Sequence, residues 1–187
     1  MRKIFLLLTL LLGFQAMAQI DYGVKAGVIF NNFPVSEAVF DESFGYELGG
    51  MAEYKLNRTF GLHTEFLLAY FQYDLYNSNI KNLRDFRNYI SIPFLIQTSI
   101  TKKFRFDLGI RGDFLVREKI TGPYFDEVWK GNVFFNPAIV SGFSFRSYKD
   151  LLFQLHLAFD PYLDRFKSDD FSLSHYNVTF SVGYFLN

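Results

Sequence analysis

Three histidines, His63, His156 and His175, are the side chains of this sequence best suited to acid–base chemistry. His63 stands two residues from Glu65, and Ser141 and Ser144 supply hydroxyl groups. A nucleophile, a base and an orienting acid are the parts from which a hydrolase is assembled. No nucleophile elbow frames these serines, and serine is ordinary filler in strands, so the chain is expected to be no enzyme. Candidate calcium ligands are Asp126 and Glu127, or Asp164, Asp169 and Asp170, but their spacing is not that of an EF-hand. They read as loop charges that hold water. No catalytic, cofactor-binding or metal-binding residue is therefore assigned. Cysteine is absent, which removes disulfides, thiolate metal sites, a cysteine nucleophile and a cysteine-linked lipid anchor.

The larger constellation is a series of charges at alternate positions: Lys25, Glu47, Glu53, Glu65, Arg105, Asp107, Arg111, Asp113 and Arg117, with His63 and His156 in the same phase. Each lies within a run of about ten residues whose other phase is aliphatic or aromatic, the signature of a strand that crosses a membrane. The runs fall at 22–31, 44–55, 60–73, 88–100, 104–117, 134–145, 151–160 and 176–186. In the first, Tyr22, Val24, Ala26, Val28 and Phe30 oppose Lys25 and Asn31. In the fifth, Phe106, Leu108, Ile110 and Phe114 oppose Arg105, Asp107, Arg111 and Asp113. Pro93 and Pro137 each predict a bulge or a missing bond, because proline lacks the ladder donor.

Connections between the runs alternate between short and long. Residues 56–59, 101–103 and 146–150 are tight polar turns, whereas 32–43, 74–87, 118–133 and 161–175 are long and charged. That order predicts an eight-stranded antiparallel up-and-down transmembrane β-barrel, with short periplasmic turns and long extracellular loops. The 25 Phe and 12 Tyr supply strand propensity and two interfacial belts. Tyr22, Tyr54, Phe60, Phe104, Phe145 and Tyr184 belong to one belt; Phe30, Tyr46, Tyr70, Phe114, Phe159 and Tyr176 belong to the other.

Arg2 and Lys3, the apolar stretch from Ile4 to Leu12, and Ala16-Met17-Ala18 read as a cleaved export signal. The expected organisation is a signal peptide over 1–18 and one barrel domain over 19–187. With 19 basic and 19 acidic residues, losing Arg2 and Lys3 leaves 17 against 19. That balance offers no footprint for nucleic acid.

Several motifs resemble the small PorT-like outer-membrane β-barrel proteins of Bacteroidota. Tyr22-Gly23-Val24-Lys25-Ala26-Gly27 is similar to that family's opening strand. Ala52-Glu53-Tyr54-Lys55-Leu56 followed by Phe60-Gly61-Leu62-His63-Thr64-Glu65 is similar to its second hairpin. Tyr89-Ile90-Ser91-Ile92-Pro93 resembles a strand in which Ser91 stands for the usual acidic residue, and Gly183-Tyr184-Phe185 resembles the closing strand. Barrels of this kind usually end on an aromatic, whereas Leu186 holds the outward position two beyond Tyr184.

The resemblance implies the bacterial outer membrane as location, outer-membrane lipid as solvent and no cofactor. It implies an envelope structural or interaction role, or one in secretion assembly. The barrel is expected to be a monomer whose lumen is filled by its own charges. Tyr124, Phe125 and Trp129 in the third long loop are the candidate anchors for an envelope protein partner. The alternatives are a small-solute or ion channel, a membrane-embedded lipid hydrolase, and a soluble lipocalin-like carrier with the two phases reversed.

Overall fold

The computed structural model describes residues 20–32, 39–40, 43–77, 80–122, 125–129, 134–147, 150–160 and 175–186. These form ten strands: β1 (Ile20–Asn32), β2 (Val39–Phe40), β3 (Ser43–Lys55), β4 (Phe60–Asn77), β5 (Ile80–Ser99), β6 (Phe104–Gly122), β7 (Phe125–Trp129), β8 (Phe134–Arg146), β9 (Leu151–Asp160) and β10 (His175–Phe185). Every pairing is antiparallel. Eight strands close on themselves in the order β1-β3-β4-β5-β6-β8-β9-β10, with β10 returning to β1. Closure removes both sheet edges, so every spanning strand has a partner on each side. The short strands β2 and β7 are annexes that lengthen the wall at the ends of β4 and β6.

The period-two pattern maps onto the wall as expected. Val24, Leu48, Leu68, Phe94, Ile110, Ile139, Leu157 and Phe180 are exposed on the outside, while Lys25, Glu65, Asp107 and Arg111 are buried inside. A soluble carrier reverses these phases, so the lipocalin-like alternative is excluded.

Outward rings pair across strands in two belts. Phe104 packs on Phe145 at 4.8 Å near the short turns. Tyr46 stacks on Tyr70 at 4.9 Å, and Phe114 lies 5.1 Å from Phe135, near the other end.

Side chains fix the shape of two of the short turns. Asn57 Oδ1 accepts from the backbone N–H groups of Thr59 and Phe60, both at 2.8 Å. Thr101 Oγ1 accepts from those of Lys103 and Phe104. Asp150 adopts a φ of 57° in the third turn, a left-handed conformation that aspartate tolerates better than most residues.

Two of the expected long connections are corrected. The stretch 74–87 is mostly strand, because β4 runs to Asn77 and β5 starts at Ile80. Arg84, Asp85 and Arg87 therefore belong to the wall. Likewise β6 continues to Gly122 and folds back through β7. Of the candidate anchors, Tyr124 lies outside the described residues; Phe125 and Trp129 open and close β7, whose backbone alone is described. The export signal, Asp164, Asp169 and Asp170 also lie outside them.

Both prolines sit where a donor is dispensable. Pairing of β4 with β5 is interrupted between Thr64↔Phe94 and Leu67↔Ser91 without a change of register, the gap falling at Pro93. Pairing of β8 with β9 covers Ile139 to Arg146, and Pro137 lies beyond it.

Candidate functional site

The lumen holds the chemistry-bearing side chains, and it is occupied by their contacts with one another. At the turn end, Arg146 donates to Asp21 at 2.6 Å and to Asp150 at 3.2 Å, and its guanidinium lies 4.1 Å over the ring of Phe185. Lys55 donates to Asp21 at 2.7 Å. Arg105 pairs with Glu53 at 2.6 Å and donates to Gln97. Beneath these groups Met51, Leu152 and Phe185 form a small apolar cluster. A Cβ at Gly23 or at Gly183 would approach Met51 Cε to 2.7 Å. Those two glycines therefore clear the space that Met51 fills.

The next layer centres on Asp107, fully buried on β6. It accepts from Gln97 at 3.1 Å, Ser144 at 3.2 Å and His156 at 3.0 Å. Beside it Lys25 bridges two carboxylates, Glu65 at 2.7 Å and Glu47 at 3.1 Å. Glu65 also accepts from His63 Nε2 at 2.7 Å. A carboxylate can only accept, so the proton of that bond sits on the imidazole. Further up, Arg111 pairs with Asp113 at 2.8 Å and donates to Asn177. Between the charges lie further apolar contacts, with Leu95, Ala138, Val140 and Ala158 in one group. The filling is thus mixed rather than purely ionic. Among the described residues the buried ions are paired, which is what burial of a charge demands.

One residue placed inside by the alternation faces out. Arg117 is exposed, and Glu118 is buried instead. The reason is a β-bulge: Tyr89 pairs with Leu115 and Asn88 with Arg117, leaving Val116 without an opposite residue. The extra residue reverses the phase of everything beyond it.

The bulge thereby turns Glu118 toward Arg87, which it meets at 3.0 Å, while Arg87 also holds Asp85 at 2.7 Å. This uppermost charge cluster lies in the stretch 74–87, which the sequence predicts as a connection and the structure makes part of β5. Their own alternation around Phe86 is the signal that locates them.

The hydrolase constellation comes together in the wrong order. Ser144, Asp107 and His156 are neighbours, but Asp107 lies between the hydroxyl and the imidazole. A serine is activated when the imidazole sits between it and the acid. Ser141 is in the outward phase of β8, away from His63. Among the described residues, no group of three His, Asp or Glu side chains is arranged to hold a metal ion.

Replacing Asp107 by Asn tests the layer directly. The amide keeps the shape but offers one acceptor oxygen to donors that now use two. The Asp107→Asn barrel should lose about 1–2 kcal/mol in urea unfolding followed by gel mobility.

A closed barrel of eight strands, apolar outside and ion-paired inside, fits a bilayer and no aqueous solvent. The family profile of the outer membrane protein beta-barrel domain matches residues 15–187. The chain belongs to that family.

Solved barrels share this family member's architecture at low sequence identity. Ail, the attachment invasion locus protein of Yersinia pestis, matches with a TM-score of 0.55 and 13% identity over 89% of this chain and 98% of its own. Neisserial surface protein A matches with a TM-score of 0.55 and 12% identity over 87% and 96% of the two chains. No curated protein matches the chain. The outer membrane is therefore where this family barrel resides, with its apolar belt in contact with lipid.

Proposed function

We propose that this barrel is a non-enzymatic, PorT-like envelope component that works by presenting its long connections outside the cell, in interaction or in secretion assembly. In this reading residues 1–18 direct export and are removed, leaving 19–187 as the mature domain. The short turns face the periplasm, and the barrel is a monomer. The third long connection, with Tyr124, Phe125 and Trp129, contacts an envelope protein.

The observation that carries the reading is the lumen. Its charges are committed to each other in successive layers, from Arg105–Glu53 through Lys25–Glu65 to Arg87–Glu118. Eight strands leave an interior about as wide as the side chains that fill it, so a solute path would require those pairs to separate. The inverted order of Ser144, Asp107 and His156 speaks equally against a lipid hydrolase.

Two measurements test the proposal. In planar bilayers the purified barrel should give no stable conductance steps; regular steps would replace the scaffold with a channel. In intact cells, a photocrosslinking side chain at Trp129 should trap one defined envelope protein, and the same group at the lipid-facing Ile110 should not. Identical adducts at both positions, or none at Trp129, would sink the partner-binding role.

A further inference from the structure

The mouth of the barrel at the turn end is a cavity of about 400 Å³ between the β3–β4 and β5–β6 turns, within the range of small-molecule sites. Its lining brings together Lys55, Arg58, Lys102 and Arg105 against the single carboxylate of Glu53. These cations are not equivalent. Lys55 is held by Asp21 at 2.7 Å, and Arg105 by Glu53 at 2.6 Å. Arg58 and Lys102 have no ion partner among the described residues.

Both unpartnered cations sit on turns whose shape is fixed. The Asn57 side chain caps the first turn, and the Thr101 hydroxyl caps the second. A backbone bond from Ser99 N–H to Thr59 O at 2.7 Å ties the two turns together. The floor of the cavity is polar and buried, made by Gln97, Glu53 and Arg105. With both turns already shaped, binding a matching anion orders the two exposed side chains and little of the backbone.

From this arrangement we propose that the turn-end mouth binds a small solute bearing two oxyanion groups, of the diphosphate or dicarboxylate class. Arg58 meets one group and Lys102 the other, over the polar floor. One anionic group engages one turn only, and two engage both. Of the ion-paired layers only Arg105–Glu53 reaches this mouth, as part of its floor, while Lys25–Glu65 and Arg87–Glu118 lie deeper, so the site stands or falls separately from the closed-lumen reading.

Calorimetric titration of the refolded barrel in a maltoside detergent at low salt provides the test, with pyrophosphate, glutarate and acetate as probes. Pyrophosphate and glutarate should bind saturably and weaken as salt is added, with acetate at least tenfold weaker. The double variant Arg58→Ala/Lys102→Ala should lose at least tenfold in affinity for both dianions. Arg117→Ala, which removes an exposed cation near the opposite end, should bind as the parent does. Unheated gel mobility verifies that each variant is folded. The proposal fails if no dianion binds saturably, if acetate binds as well as glutarate, or if Arg117→Ala weakens binding as much as the double variant.

Discussion

Lys25→Met is expected to lower the unfolding free energy of the barrel by about 3–5 kcal/mol at neutral pH. Lys25 is buried and bridges Glu65 at 2.7 Å and Glu47 at 3.1 Å. Methionine keeps much of the volume but removes the ammonium, which leaves two carboxylates facing each other with no compensating charge. The greater part of the loss is the penalty on those stranded acids, not the intrinsic worth of the pair. Adding Glu47→Gln and Glu65→Gln should therefore recover a large part of it. Urea unfolding in lipid vesicles, read by the gel mobility of folded and unfolded forms, measures both variants. A loss below about 1 kcal/mol in the single variant would mean that the lumen is wet enough to solvate the acids. The case for a closed interior would fall with it.

Ile110→Arg probes the other face and should cost about 2–4 kcal/mol in the same assay. Ile110 is 64% exposed, midway along β6 between the ring belts at Phe104 and Phe114. On a water-soluble surface, a substitution at so open a position changes stability by about 0.5 kcal/mol or less. In a bilayer the guanidinium must bend toward an interface or draw water inward. Ile110→Ala separates charge from lost contact, because it removes the side chain without adding an ion. If Ile110→Arg were as harmless as Ile110→Ala, the outer face at that depth would not be in lipid.

Much of this protein is legible from residue order. Alternation has a fixed period of two in any strand, so Phe106, Leu108 and Ile110 had to face one way and Arg105, Asp107 and Arg111 the other. The apolar phase is too continuous for water, and short turns alternate with long connections, so strand number and the choice of solvent follow without coordinates. The same local rule failed at Val116. A bulge is invisible to a periodic reading, and it sent Arg117 outward and Glu118 inward.

Which charge meets which belonged to the closed barrel alone. Lys25 and Glu65 are 40 residues apart in the chain, and Arg146 and Asp21 are 125 apart. Their meeting depends on the register between strands and on the closure of β10 against β1, properties of all eight strands at once. No local pattern encodes them. The mouth lined by Arg58 and Lys102 has the same origin, since two turns far apart in sequence become neighbours only when β4 pairs with β5.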